Sequence, residues 1–201
     1  MANITPPNTT QQTTRKKPSL LRILAIVLLT LIVLVGLAVL IFWLIVKPKR
    51  LVYSVEDGSI RNFNISNDHL DSYFEFTIRA YNPNKRVSIY YDSIESRVDY
   101  DDQTLAYNVV QPFHQPHKNV TRLDVKLTAR STALLNSVSK DLRLERSSGK
   151  IELSVVLKAR IRFKVGAWKS THRTLEVFCS PILVHFSKPK SFERTYCDVE
   201  L

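Results

Sequence analysis

An uninterrupted apolar segment constrains this 201-residue chain more than any other feature. Residues 23–46 read ILAIVLLTLIVLVGLAVLIFWLIV and contain no charged side chain. As a helix that rises 1.5 Å per residue, they extend about 36 Å, which is enough to cross a hydrocarbon core of about 30 Å. A buried helix of a soluble protein is rarely apolar on every face over this length. The segment therefore predicts a transmembrane helix, which we place at 20–46.

The residues after this segment distinguish a permanent anchor from a cleaved signal peptide. The apolar region of a signal peptide is about 7–15 residues long and ends at a small-residue cleavage site. Here the apolar run is longer and ends at Lys47-Pro48-Lys49-Arg50, which favours an uncleaved signal anchor. Basic residues flank both ends almost equally, so the domain that follows decides the orientation. Its cysteines and glycosylation sequons favour a cytoplasmic N-terminus and an extracellular C-terminal domain.

The net charge of +11 is concentrated around the predicted span. Residues 1–50 contain seven Lys or Arg and no acid, whereas the other 151 residues contain 22 basic and 18 acidic residues. Basic residues beside a span determine topology and attract lipid headgroups, so we expect no nucleic-acid partner. The polar residues 1–19 are predicted to be a disordered cytoplasmic tail, and 47–60 a juxtamembrane segment.

Residues 61–201 are predicted to form one all-β domain. The clearest alternation is IELSVVLKARIRFKV at 151–165, where every odd position is apolar, as in an antiparallel strand covered on one face. Shorter alternations lie at 73–81, 94–100, 105–109, 123–127 and 175–179, and the last is open to continuation past Pro181 to Val184. Asp101-Asp102-Gln103 predicts a turn.

One interval, 131–145, has apolar residues three and four positions apart instead. Ser131-Thr132 are candidate N-caps for it, and Val138 and Leu142 belong to its apolar face. It predicts a short helix that ends before Gly149. Strands of this number and length with one helix favour an immunoglobulin-like or fibronectin-like β-sandwich.

Patterns typical of catalysis are scarce in this sequence. The four glycines are isolated, so phosphate-binding loops and nucleophile elbows are absent. His114 and His117 are three residues apart in a proline-flanked loop without a third ligand nearby, which favours solvated histidines over a metal site. We therefore expect no enzyme activity, no metal and no cofactor.

The two cysteines and the N-x-[ST] sequons fit an oxidising compartment. Cys179 and Cys197 are expected to form a disulfide that closes a loop of about 18 residues, with two buried thiols as the alternative. The sequons at Asn3 and Asn8 fall in the predicted cytoplasmic tail. Asn64 and Asn119, in polar segments predicted to be loops, are the candidate glycosylation sites.

A row of basic side chains marks one face of the strand predicted at 151–165. Alternation places these side chains about 7 Å apart: Lys158, Arg160, Arg162 and Lys164. Two interpretations stay open. The row is a solvated face with acidic neighbours on the adjacent strand, or it is a docking surface for anionic headgroups or acidic wall polysaccharide.

Three blocks of the sequence carry a family resemblance. They are RAYNPNKRVSIYYD at 79–92, QPFHQPHKN at 111–119 and LKARIRFKVG at 157–166. They resemble the signatures of the plant harpin-induced-like and non-race-specific-disease-resistance-like proteins, which carry the late embryogenesis abundant type 2 domain and are grouped with hydroxyproline-rich glycoproteins. Val87-Ser88 departs from the usual Ile/Val-Gly, and His114 stands where the family often has an aromatic residue. The motif residues are Asn82, Pro83, Asn84, Lys85, Arg86, Tyr90, Tyr91 and Asp92.

The resemblance implies an immunoglobulin-like sandwich, residence in a plant plasma membrane, a role in defence against pathogens, and no enzyme activity. Turn chemistry at Asn82-Pro83-Asn84 fits a rigid corner of the sandwich, with a partner-binding corner as the alternative. Tyr90 and Tyr91 point to opposite faces, so one of them should be exposed.

Two functions follow as expectations, the first from the resemblance and the second from a sandwich held near the membrane by a short tether. The first is a membrane-anchored immunity component that binds protein partners or a ligand outside the cell, such as wall polysaccharide. The second is a lipid-binding or membrane–wall tethering protein, which would require an apolar cavity between the sheets.

Overall fold

The chain consists of an apolar helix and a β domain, which form two compact units divided between Lys47 and Pro48. The computed structural model describes residues 20–46, 49–187 and 192–201. Helix α1 (Leu20–Val46) is 27 residues long, and its segment Leu20–Ile41 has a mean hydropathy of 3.3. It is long and apolar enough to cross a membrane, as predicted. The predicted tail 1–19, with Asn3 and Asn8, lies outside the described residues.

The second unit is an antiparallel β-sandwich, which confirms the predicted all-β fold class. One sheet has the order β10-β1-β2-β6 and consists of β1 (Val52–Ser66), β2 (His69–Tyr81), β6 (Val120–Ala133) and β10 (Thr195–Tyr196). The other has the order β11-β9-β7-β3-β4 and consists of β3 (Val87–Tyr100), β4 (Gln103–Val110), β7 (Lys150–Val165), β9 (Arg173–His185) and β11 (Asp198–Glu200). Two short strands extend it, β5 (Phe113–Gln115) along β3 and β8 (Trp168–Lys169) along β7.

The core lies between the two sheets and is built from the alternating apolar positions. Phe76 and Ile78 of β2 face Ile89 of β3 and Val155 of β7 across it, and all four are fully buried. Burying each such side chain stabilises the fold by about 1.5–3 kcal/mol. The long β7 alternation predicted the strand well. Its pairing with β9 shifts register between Leu153 and Val155, and its pairing with β3 shifts between Tyr91 and Ser93 of β3.

Strand β1 occupies residues that the sequence analysis assigned to the juxtamembrane segment 47–60. It begins at Val52 and pairs with β2 along its whole length. The sequence signal was weak because register shifts occur between Val55 and Asp57 and between Arg61 and Asn64. Each shift reverses which positions face the core, so a strict period of two is lost.

The short helix exists, but its predicted start was wrong. Helix α2 spans Asn136–Ser148, and Ser131 and Thr132 belong to β6 instead of capping the helix. Pairing with β2 continues to Ala133 and prevails over the capping preference of Ser and Thr. The predicted C-terminal boundary is confirmed, since Gly149 ends the helix in the left-handed conformation at φ +83°.

Two further local predictions are confirmed. Asp101 and Asp102 both have positive φ and form the turn between β3 and β4. Strand β9 continues through a cis Ser180–Pro181 bond to His185, so the strand predicted at 175–179 does extend past Pro181.

Candidate functional site

The Asn-Pro-Asn block forms a buried corner between the two sheets. It joins the end of β2 to the start of β3, and Asn82 is fully buried. The Asn82 amide nitrogen donates to the carbonyl oxygens of Val87, at 2.8 Å, and Pro116, at 3.0 Å. Its side-chain oxygen accepts from the backbone and side-chain nitrogens of Asn84, at 3.1 and 3.0 Å. These four bonds satisfy the amide completely and favour the rigid-corner interpretation.

Asn84 connects this corner to the first residue described after the helix. Its side-chain oxygen accepts from the Lys49 backbone nitrogen at 2.6 Å, and its side-chain nitrogen donates to the Lys49 carbonyl at 3.1 Å. The Asn84 carbonyl accepts from the Lys118 nitrogen at 2.9 Å. Two segments distant in sequence, those of Lys49 and Lys118, are therefore fixed to one buried asparagine.

A buried tyrosine pair supports the corner from inside the sandwich. Tyr91 and Tyr53 share a hydrogen bond between their hydroxyls, and Tyr91 donates to the Gln115 side-chain oxygen at 3.1 Å. Gln115 in turn donates to the Ala80 carbonyl at 2.9 Å. Burial raises the pKa of Tyr91 to about 12 and that of Tyr53 well above its usual value. Both remain neutral at physiological pH, so the network positions the corner and does not exchange protons.

Outside the corner, basic side chains line an open groove of about 550 Å³. Lys85 and Arg86 follow Asn84 directly and are exposed. The hydrogen-bond register places Ser88 opposite Lys164, so the lysine reaches the same groove from β7. His117 and the tight turn at Gly166, whose φ is +57°, complete the lining. The residues that line it are Lys85, Arg86, Ser88, His117, Lys164, Val165 and Gly166.

Tyr90 forms an aromatic platform beside this groove. It lies on the outer face, half-buried against His114 with ring centroids 4.3 Å apart. The ammonium groups of Lys169 and Lys164 lie over its ring at 4.8 and 5.9 Å from the centroid. Cation–π attraction holds the lysines at this position without neutralising their charge. Tyr91 is buried and Tyr90 is not, in agreement with their predicted opposite faces.

Two of the four residues in the predicted basic row are paired with carboxylates. Lys158 contacts Glu176 on β9 at 2.7 Å. Arg162 donates two hydrogen bonds to Asp92, one of them at 2.7 Å, and holds the pKa of that carboxyl below its usual range. The acidic neighbours therefore favour the solvated-face interpretation for this half of the row. Arg160 is exposed on β7, and Lys164 belongs to the groove.

The remaining predicted site residues lie on β1, just before β6, on β9 and near the chain's end. The sulfur atoms of Cys179 on β9 and Cys197 are bonded, with their Cα atoms 4.2 Å apart. Asn64 is exposed on strand β1 and not in a loop as predicted. Asn119 precedes β6 half-buried, and its side-chain oxygen accepts from Thr121 at 3.1 Å.

Within residues 20–46, 49–187 and 192–201, no group of three or more His, Cys, Asp or Glu side chains could hold a metal ion. The exposed cations around the groove are suited to binding anions. Sequence reasoning did not single out three residues beside this groove. Lys118 donates its backbone N–H to Asn84, Lys169 lies over the Tyr90 ring, and Trp168 pairs with Val165. The signal that could have revealed them is the absence of acids in each connecting segment around the corner.

Comparisons with known proteins agree with the sequence blocks quoted above. The family model described as late embryogenesis abundant protein matches residues 77–180. An Arabidopsis thaliana protein named "Uncharacterized protein At1g08160" is 39% identical over 93% of this chain and 86% of its own length. From the same plant, NDR1/HIN1-like protein 10 is 34% identical over 84% of this chain and 75% of its own. NDR1/HIN1-like protein 3, also from that plant, is 35% identical over 87% of this chain and 78% of its own length.

Proposed function

The chain belongs to the late embryogenesis abundant protein family, and from this membership we propose that it is a membrane-anchored, non-catalytic component of the plant response to pathogens. Its relatives with NDR1/HIN1-like names suggest a pathogen-response family. In this proposal α1 crosses the plasma membrane, the N-terminus is cytoplasmic, and the β-sandwich is extracellular and binds a protein partner in immunity.

The observation that carries this proposal is the exposed apolar surface of α1. Leu24 and Leu29 are 70% and 65% exposed, and the other described residues do not bury the apolar segment Leu20–Ile41. An apolar surface of this length is stable only in contact with lipid or another apolar surface. The disulfide in the second unit supports an extracellular sandwich, because such bonds persist in oxidising compartments.

Glycan mapping in plant cells tests the orientation. Glycosidase treatment of the full chain should lower its apparent mass, and the variant Asn64→Gln/Asn119→Gln should remove that shift. The matched control, Asn3→Gln/Asn8→Gln, should leave the shift intact. A shift that depends on Asn3 or Asn8 would show that the topology is inverted.

Partner binding is tested with the same full chain. Membranes from infected and mock-treated leaves are cross-linked before affinity purification, and a protein partner should be enriched specifically after infection. The corner allows contact residues to be changed without changing the fold. Lys85 and Arg86 are exposed and can be substituted, whereas Asn82 and Asn84 are buried and hold the corner together. Partner loss on Lys85→Ala/Arg86→Ala with unchanged folding would assign the contact to this end of the sandwich.

The alternative function, binding of a lipid between the two sheets, receives less support. The space between the sheets is occupied by packed side chains such as Phe74, Phe76 and Ile89, each at most 1% exposed. A lipid chain would have to displace this core. Acidic wall polysaccharide remains a candidate ligand for the outer surface, where the groove presents its positive charge.

A further inference from the structure

We propose that the basic end of the sandwich docks on the surface of the same membrane that α1 crosses, with a lipid phosphate in the groove beside Lys85 and Trp168 in the headgroup region. This inference rests on the proposed membrane anchoring and adds a ligand class to it. The basic end is defined as the four connecting segments 49–51, 82–86, 116–119 and 166–172. Strand pairing brings them together, as Val52 pairs with Tyr81, Tyr81 with Val120, and Val87 with Val165.

The basic end has an extreme charge composition. Its four segments contain six Lys or Arg and no Asp or Glu. The three connections 67–68, 101–102 and 134–149 at the opposite end contain five acids and three basic residues. The formal charges of these segments are therefore +6 and −2. The connection 186–194, which begins beside Gly149 at the opposite end, adds three basic residues and one Glu, so that end is neutral in total. Such a separation orients a molecule in front of an anionic surface.

The groove at this end contains cations that no carboxylate neutralises. None of the ion pairs formed by the described residues involves Lys85, Arg86 or Lys164. The other parts of the chain, 1–19, 47–48 and 188–191, contain no Asp or Glu at all. Three basic side chains and the Ser88 hydroxyl around one open groove match the charge and the acceptor oxygens of a phosphate.

An exposed tryptophan supplies the second, independent observation. Trp168 follows the Gly166-Ala167 turn, pairs with Val165 and is 62% exposed. A large apolar side chain in this position is unusual for a surface in water, and Trp is enriched where membranes meet water. Lys169 lies next to it, over the Tyr90 ring. Aromatic and basic residues side by side fit the headgroup region better than they fit a polysaccharide or a free anion.

Chain connectivity gives the reason for choosing the membrane as the binding partner. Only residues 47 and 48 separate the end of α1 from Lys49, and three peptide links span at most about 11 Å. Lys49 is bound to Asn84, the residue before Lys85. The headgroups around an inserted α1 are therefore within reach of the groove, and this tethering raises their effective concentration.

Fluorescence of Trp168 in nanodiscs tests the docking. The unglycosylated full chain carries Trp43→Phe, which leaves Trp168 as its single tryptophan. It is inserted into nanodiscs of phosphatidylcholine alone, or of phosphatidylcholine with phosphatidic acid, each with acyl chains brominated near the headgroup. With phosphatidic acid at low salt, Trp168 emission should shift to shorter wavelength and be quenched by the bromine. With phosphatidylcholine alone, or at high salt, it should remain open to aqueous acrylamide.

Charge-neutral variants then assign the effect to the groove. Each basic residue near an anionic surface favours association by about fivefold, so removing three should lower the docked-to-free ratio by about 100-fold. The test variant is Lys85→Gln/Arg86→Gln/Lys164→Gln. The control variant removes the same charge from the opposite end, where the side chains are exposed and without ion pairs among the described residues: Lys140→Gln/Arg143→Gln/Lys150→Gln. The control should keep the lipid quenching.

Three results would overturn the proposal. If both triple variants lost quenching equally, the docking would depend on the net charge of the chain and not on the groove. Binding of glycerol 3-phosphate at the groove, with no quenching of Trp168 in phosphatidic acid nanodiscs, would identify a free phosphate ester as the ligand. Trp168 fully exposed to water in anionic nanodiscs would exclude docking while anchoring stands. Failure of the chain to co-elute with nanodiscs would instead contradict the anchoring, and the docking with it.

Discussion

The corner asparagine provides the sharpest test of how this fold is held together. We consider Asn82→Asp, which preserves shape and replaces one NH₂ by an oxygen. That nitrogen donates at 2.8 Å to the Val87 carbonyl and at 3.0 Å to the Pro116 carbonyl. In the variant, a carboxylate oxygen faces both carbonyl oxygens in a site that is fully buried.

The magnitude follows from these contacts. Two hydrogen bonds of about 1 kcal/mol each are lost, and an uncompensated buried charge raises the total cost to about 3–5 kcal/mol at neutral pH. Against a total stability of about 5–15 kcal/mol, this is a large fraction. The new carboxyl should have a raised folded-state pKa, since burial and the two carbonyls disfavour its ionised form.

The sign of the pH dependence follows from that shift. A raised pKa means that the folded variant prefers the protonated carboxyl, which can donate one hydrogen bond again. The stability deficit relative to wild type should therefore be smallest below the unfolded pKa of about 4 and should grow as pH rises through the folded pKa.

Urea unfolding of the full chain in detergent, followed by β-sheet circular dichroism, measures the deficit at several pH values. The control is Asn62→Asp, because Asn62 is exposed and also has a positive φ, of 53°. It should change stability by less than about 0.5 kcal/mol. A deficit at Asn82 that is independent of pH, or no larger than at Asn62, would refute the reasoning.

Three further predictions concern cross-links, ion pairs and a helix end. Cys179→Ser should lower the free energy of unfolding by about 3 kcal/mol, and thiol labelling of unfolded, unreduced wild type should find no free thiol; two labelled thiols would contradict it. Because Arg162 lowers the pKa of Asp92, the pair stabilises above pH of about 4 and loses this effect as pH falls through the lowered pKa. The melting-temperature difference between wild type and Asp92→Asn should accordingly disappear in acid. Gly149→Ala should cost about 1 kcal/mol in urea unfolding, since φ is +83° at that position; an unchanged midpoint would argue against a strained cap.

The predictability of each element depended on how regular its pattern was. Strand β7 alternates over most of its length and was predicted almost to the residue. Strand β1 contains two register shifts within fifteen residues, so its buried positions have no constant period. Helix α2 was found from Val138 and Leu142, but its start was set by the pairing of Ala133 with His69. Such pairing is a tertiary contact that no local pattern contains.

The candidate site was predictable only in part, for a related reason. The Asn-Pro-Asn block is contiguous, so its turn chemistry and its role as a corner could be read directly. The basic end is assembled from four segments up to 120 residues apart, and each contributes only one or two cations. The row on β7 attracted attention because it is contiguous, yet the neighbouring strands supply carboxylates to Lys158 and Arg162.

The choice of hydrogen-bonding groups at the corner explains how the positive charge survives there. On the sheet surfaces, several basic side chains are paired with carboxylates, as Arg122 is with Glu56. At the corner the connections are instead made by neutral amides, from Asn82, Asn84 and Gln115. Carboxylates could accept from the same backbone nitrogens, but they would cancel the cations a few ångströms away and could not donate to the buried carbonyls. Amides both accept from backbone nitrogens and donate to buried carbonyls without adding negative charge. Lys85 and Arg86 therefore stay available for an external anion.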